Sequence, residues 1–216
     1  MKHQQVYTSY NPFFLIPFLL WVVTGGLLLG NYDKRVLFLS INSRYNELLD
    51  VMMAGITFIG EGYVIIPVLL LLPLLIKKLR NLTYIFAAIT GNIGAFILSQ
   101  TLKSYFNEPR PLTYFEPQNL VRVAEGWEQY YHRSFPSGHT TGAFAFLCFL
   151  SLFLSQRHRA WGLVFFLMAM AVAYSRIYLA AHFFLDVYAG SIIGTVFSIF
   201  AVFIFYKAPY RTKISG

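Results

Sequence analysis

The stretch at 173–190, AYSRIYLAAHFFLDVYAG, has the apolar density of a membrane-spanning helix and yet carries Arg176, His182 and Asp186. Ionisable side chains in so apolar a setting are costly, and they turn toward a cavity or a partner rather than toward lipid. His182 and Asp186 stand four residues apart, so on a helix they share a face. A carboxylate placed there accepts a hydrogen bond from one imidazole nitrogen and fixes the tautomer. The other nitrogen is then left as a base or a nucleophile.

The chain around this stretch is equally apolar. Of 216 residues, 57% are hydrophobic, 19% aromatic and 12% charged, against a charged share of about 25% in soluble proteins. Mean hydropathy is +0.57. Apolar segments near the roughly 20 residues that a crossing needs recur at 13–31, 52–76, 82–103, 138–155, 160–179 and 186–206. The expected fold is therefore an all-α integral membrane bundle of six transmembrane helices, a single domain over 1–216. The fifth and sixth segments meet in the opening stretch, where their boundary is soft. Lys2 precedes the first apolar run, but no small-x-small cleavage site follows it, so this run reads as a retained span rather than a signal peptide. The longest interruption, 104–137, has the length of a functional loop.

The net charge of +8 does not indicate nucleic acid, because no basic run alternates with aromatics on a polar face. The charge is better read as membrane topology. Lys2, Lys77, Lys78, Arg80, Arg157, Arg159, Lys207, Arg211 and Lys213 fall at one end of the expected bundle, nine of the 17 basic residues, with no acid among them. The other end has all nine acids and eight basic residues, of which Lys103, Arg110 and Arg176 belong to a candidate site. The first end is expected to be cytoplasmic, and loop 104–137 and the opening stretch to face outward. The lone Cys148 excludes an intramolecular disulfide and a cysteine metal site, and reads as a small core- or lipid-facing residue. His3, His132 and His158 fall in terminal or loop segments and read as solvated. Tyr114, Phe115, Trp127, Tyr130 and Tyr131 read as interfacial anchors. GSIIG at 190–194 has the spacing of close helix contact within a bundle.

Three segments bring polar groups to the outer end: KSYFNEPRP at 103–111, FPSGHTTG at 135–142 and SRIYLAAHFFLD at 175–186. Lys103, Arg110 and Arg176 are strong donors, and each guanidinium is a planar fork suited to phosphate oxygens. Ser137 and Gly138 open an apolar helix whose N-terminus favours anions, and Gly138 allows close approach to the backbone. Such a set suits a multiply charged anion, and phosphate best. With His182 as nucleophile, Asp186 orienting it and His139 protonating a leaving oxygen, the chemistry is phosphoryl transfer through a phosphohistidine that water then hydrolyses. Fixed cations and N–H donors stabilise the transferring group without a metal.

The three segments resemble the signature of the type 2 phosphatidic acid phosphatase superfamily, K-x6-RP, PSGH and SR-x5-H-x3-D, with no departure in residue type or spacing. The resemblance implies a membrane-bound, metal-independent lipid phosphate phosphatase with no cofactor. It assigns His182 as nucleophile, Asp186 as its partner, His139 as general acid, and Lys103, Arg110, Ser137, Gly138 and Arg176 as phosphate ligands. It also implies a membrane lipid phosphate as substrate, the bilayer as surroundings, no nucleic acid, and a bacterial inner membrane with the site facing the periplasm or outside. Undecaprenyl diphosphate, phosphatidylglycerophosphate, phosphatidic acid and a lipid A phosphate fit equally by sequence, with a lean to the first. Each polar residue taken singly has a structural explanation; eight together in this order do not. A phosphotransferase of the same superfamily uses the same chemistry with a lipid acceptor, and a transporter is the alternative from another class. Oligomeric state is not encoded in these motifs.

Overall fold

The computed structural model describes residues 10–115, 117 and 120–206. His3, Glu116 and four of the basic residues used for orientation (Lys2, Lys207, Arg211 and Lys213) lie outside the described residues. Among the described residues the chain is all helical. Helix α1 is Pro12–Asn31, α2 Lys34–Asn42, α3 Glu47–Thr57 and α4 Gly62–Leu75. A π-helical turn at Ile89–Ile93 joins α5, Leu82–Ala88, to α6, Gly94–Phe106. One turn, α7, Pro111–Tyr114, precedes the long loop, and α8 Gly138–Leu152, α9 Trp161–Tyr178 and α10 Phe184–Tyr206 complete the chain.

Local chemistry fixes the starts. Asn11, Asp33, Asn46, Asn81 and Ser137 each cap a helix by accepting a hydrogen bond from a backbone N–H in its first turn. Pro12 at the first helical position of α1 needs no partner for the N–H it lacks.

Four segments are long and apolar enough to cross a membrane: Pro12–Asn31, Leu82–Tyr114, Trp161–Tyr178 and Phe184–Tyr206. The segment expected as the second span is interrupted. It runs as Glu47–Gly60 and Gly62–Leu75, bent by 52°, and makes a fifth crossing if the pair is counted as one. Helix α8 has only 15 residues and falls short on length alone. It lies at the centre of the bundle, packed along α10 and against α9, so its run from Ala143 to Phe149 is buried in protein. The lipid-facing surface comes instead from residues such as Leu19, Leu20, Val23 and Leu27 of α1, Leu70 and Leu74 of α4, and Val196, Phe200 and Phe203 of α10, all exposed. A girdle this apolar, on helices of this length, is that of an integral membrane protein.

The contact of α10 with α8 depends on glycine. A Cβ at Gly190 would stand 2.8 Å from the Ser137 carbonyl oxygen, and one at Gly194 2.4 Å from that of Thr141. The spacing read as close helix contact is thus used inside the bundle. Cys148 is wholly buried in the core.

The two ends of the bundle are chemically distinct. At one, Asn11 Nδ2 donates to the carbonyls of Ser151 (3.2 Å) and Arg159 (2.9 Å), and Tyr84 and Tyr206 pack on Phe153. At the other, Asn42 Nδ2 donates to the carbonyls of Arg122 (2.8 Å) and Tyr178 (2.9 Å), and Asn42 Oδ1 accepts from Arg122 N (2.9 Å). The Arg122 guanidinium pairs with both oxygens of Asp50. Loop 104–137 is therefore tied down across α2, α3 and α9. Two of the aromatics expected as interfacial anchors, Tyr114 and Tyr131, are exposed. Phe115 is instead in the core against Phe38 and Phe183, while Trp127 and Tyr130 turn inward beneath the loop. Burial of their ring area inside the folded loop outweighs interfacial solvation.

The opening stretch is not one helix. Helix α9 stops at Tyr178 and α10 starts at Phe184. Ala181 N donates to the Arg176 carbonyl (3.0 Å) and Ala180 N to that of Ile177 (3.1 Å), with Ala180 at φ +55°. This is a Schellman closure with alanine at the left-handed position that glycine usually takes. It swings the chain back on itself at the end of the bundle.

Candidate active site

That closure decides where His182 goes. It lies in the connection between α9 and α10 rather than on a helix, and its own N–H donates to the Arg176 carbonyl (3.1 Å). The ring, 1% exposed, borders a cavity of about 450 Å³. Lys103 near the end of α6, Arg110 before α7, Gly138 and His139 in the first turn of α8, and Arg176 near the end of α9 border the same cavity. Six of the eight residues expected at the site therefore meet around one space. Ser137 and Asp186 do not line it; they stand behind.

Ser137 is wholly buried as the cap of α8, its Oγ accepting from Thr140 N (3.4 Å) and from Thr140 Oγ1 (3.0 Å). Its N–H donates to the Asp186 carbonyl (3.0 Å), stitching the starts of α8 and α10 together. Asp186 sits in the first turn of α10, and its Oδ2 accepts from Phe183 N (2.8 Å) and from Ser134 Oγ (2.5 Å). The first of these bonds is the return half of a capping box. His182 Nδ1 lies 3.5 Å from the same oxygen but makes no hydrogen bond. The expected imidazole–carboxylate pair is thus adjacent without being closed, because two other donors already occupy Oδ2.

The cations are held by backbone carbonyls. Lys103 Nζ donates to the Arg133 carbonyl (2.9 Å); Arg110 donates through Nε to that of His132 (2.8 Å) and through Nη1 to that of Ala181 (3.2 Å). Arg176 is almost fully buried, gives Nη1 to Thr57 Oγ1 (2.8 Å), and keeps its buried Nε without a partner. The Tyr130 ring covers both guanidiniums, 4.6 Å from that of Arg110 and 5.9 Å from that of Arg176. A Cβ at Gly138 would meet Lys103 Cε at 3.7 Å, an ordinary contact, so glycine there keeps space open above the lysine stem. Burial, and then the nearby charges of Arg110, Lys103 and Arg176, hold His182 well below the usual imidazole range, so its ring is neutral at pH 7.

A phosphatase reading requires a neutral imidazole beside converging cations, and both are present. Residues 81–210, more than half of the chain, match the model of the PAP2 superfamily. The chain belongs to the PAP2 superfamily. Among PAP2 relatives, the chain is 28% identical over 185 residues to an undecaprenyl-diphosphatase of Sulfolobus acidocaldarius, covering 81% of this chain and 80% of that protein. It is 43% identical over 93 residues to lipid phosphate phosphatase 1 of Arabidopsis thaliana, a match covering 38% of this chain and 28% of the plant protein's length. The crystal structure of LpxE from Aquifex aeolicus superposes with a TM-score of 0.68 at 32% identity, over 80% of this chain and 96% of that one.

Four residues around the PAP2 motifs escaped the sequence reading. Thr57 receives Arg176, Ser134 receives its position from Asp186, Tyr130 covers the guanidiniums, and Glu61 brings Oε1 to 2.5 Å from His139 Nε2. Glu61 had a signal, a lone acid inside an apolar segment. Thr57, Ser134 and Tyr130 had none. His132, expected to be solvated, is exposed but also borders the cavity; His158 is exposed and bonded to Ser155.

Proposed function

We propose that this protein is a membrane lipid phosphatase that hydrolyses a phosphate mono- or diphosphate ester of a lipid through a phosphohistidine intermediate. The observation that carries the reading is the meeting of two imidazoles and three fixed cations at one cavity, with Arg176 Nε buried there and unpartnered. A buried donor without an acceptor is uncommon and calls for one; a phosphate oxygen supplies it.

In the first step His182 attacks phosphorus through Nε2, the nitrogen turned away from Asp186. The bond to the leaving oxygen breaks, and His139 gives that oxygen its proton. Asp186 balances the positive charge that develops on the phosphorylated ring. Water then attacks phosphorus, His139 takes the water's proton, and the N–P bond breaks to release phosphate. Lys103, Arg110, Arg176 and the N–H groups of Gly138 and His139 hold the phosphoryl oxygens throughout, with Ser137 capping the helix behind them. The rest of the lipid stays in the bilayer beside the apolar wall formed by Ile65, Ile66, Ile93 and Phe96. The whole chain acts as one six-span domain, with α8 as a short buried crossing and the α3–α4 pair as a broken one. The basic segments at 77–80 and 157–159 put their end in the cytoplasm, and the cavity then faces the outer side of a bacterial inner membrane.

Undecaprenyl diphosphate is the favoured substrate, supported by the undecaprenyl-diphosphatase that matches most of this chain. The test is phosphate release by purified protein in detergent from undecaprenyl diphosphate, phosphatidylglycerophosphate, phosphatidic acid and a lipid A phosphate, with His182→Ala as control. Release that requires His182 supports the reading, and the ranking names the substrate. Absence of release from every lipid by folded protein removes it.

A further inference from the structure

Glu61 is an acid in a cavity otherwise built for an anion. Lys103, Arg110 and Arg176 border the same space, and a phosphate arriving among them would meet this carboxylate as a like charge. Its placement nevertheless has the marks of construction. Glu61 stands at the break between α3 and α4, in the position that caps α4, yet its side chain does not cap that helix. Oε1 lies instead 2.5 Å from His139 Nε2. The backbone around it is pressed against the start of α8: a Cβ at Gly60 would stand 2.4 Å from the His139 carbonyl oxygen, and one at Gly142 2.7 Å from that of Gly60. Glycine at both positions is what lets the break come this close.

We propose that Glu61 is the positioning residue of His139, holding the proton on Nε2 and orienting the ring so that Nδ1 delivers a proton to the leaving oxygen. This rests on the phosphatase reading above. The ring of His139 is also faced by Lys103 from α6, Arg176 from α9 and His182 from the α9–α10 connection, all bordering the same cavity. The two cations repel the charged ring, and Glu61 attracts it. Nδ1–H of the His139 imidazolium passes to the ester oxygen as the P–O bond breaks and the His182–phosphorus bond forms. His139 is left neutral, with its Nε2 proton still on the Glu61 side. In hydrolysis the attacking water returns a proton to Nδ1.

The role predicts dependence on the leaving group. An alkoxide leaves only with a proton, whereas 4-nitrophenolate leaves without one. The experiment measures kcat/KM of wild type, Glu61→Gln, Glu61→Asp and His139→Ala with dihexanoyl phosphatidic acid and with 4-nitrophenyl phosphate. Glu61→Gln is expected to lose about tenfold or more on the alkyl ester relative to the nitrophenyl ester. His139→Ala should have the same selectivity, and Glu61→Asp should recover part of the loss. The ratio of the two esters does not depend on the fraction of protein that folds. Equal losses on both esters, or no loss in Glu61→Gln, overturn the proposal. Wild type that cleaves undecaprenyl diphosphate but neither ester, its leaving phosphate needing no proton, overturns the proton delivery proposed here; wild type that cleaves neither ester nor any lipid of the panel overturns the phosphatase reading itself, a distinct outcome.

Discussion

His182 and Asp186 lie 3.5 Å apart without a hydrogen bond, which assigns different consequences to their replacement. His182→Ala removes the attacking atom and is expected to abolish phosphate release. Asp186→Asn keeps an acceptor for Phe183 N and Ser134 Oγ but loses the charge that balances a phosphorylated ring. It should fold and yet be slower by orders of magnitude, a comparison read from kcat beside the thermal midpoint. Because burial and neighbouring cations disfavour the charged form of His182, protonation of the free enzyme requires a lower pH than the roughly 6.5 of an ordinary imidazole. The acid limb of kcat/KM attributable to this group is therefore expected below that value; a limb assigned to His182 at or above it would contradict the burial described. Most of these residues were legible in the sequence because their motifs are short and rigidly spaced. Glu61 stood out only as a lone acid in an apolar run, and its pairing was not legible, because its partner His139 is distant in the chain and only the bend at 58–62 joins them.

At the level of elements, two devices carry the site. The first is the closure after α9, where Ala180 adopts φ +55°. A non-glycine residue there gives up roughly 1–2 kcal/mol. Ala180→Gly is thus expected to leave the thermal midpoint unchanged or raise it, while Ala180→Val, with a branched Cβ in a left-handed conformation, lowers both midpoint and activity by displacing His182. The second is the glycine seam between α8 and α10. Gly194→Val forces methyl groups against the Thr141 carbonyl and should destabilise by about 1–3 kcal/mol or more, read from thermal unfolding in detergent. Neither the closure nor the break before α4 was readable from periodicity, since apolar residues continue through both and only backbone hydrogen bonds locate the turns.

The whole molecule separates a basic end from a site end, and that polarity is testable. Cys148 is buried, so the native chain presents no accessible thiol. A cysteine introduced at the exposed Tyr131 should react with an impermeant maleimide added to intact spheroplasts, and one at Arg157 only after lysis; the reverse pattern inverts the orientation. Charge stabilisation at the site is supplied by Lys103 and Arg110, fixed by backbone carbonyls, and by Arg176, fixed by the Thr57 hydroxyl. Phosphate release is therefore expected to be unaffected by EDTA, and loss of activity that added metal restores would require a different mechanism.

The sequence by itself determined the apolar helical class, the approximate positions of the long apolar helices and the residue types that meet at the cavity, because hydrophobic length and local motif spacing are carried by neighbouring residues. Tertiary structure alone decided that the second apolar segment is bent and that α8 is short and buried. It alone sent Phe115, Trp127 and Tyr130 inward, and filled Asp186 Oδ2 with Ser134 and Phe183 before His182 could reach it. These outcomes depend on which surfaces and donors meet across distant parts of the chain, and no local pattern records that.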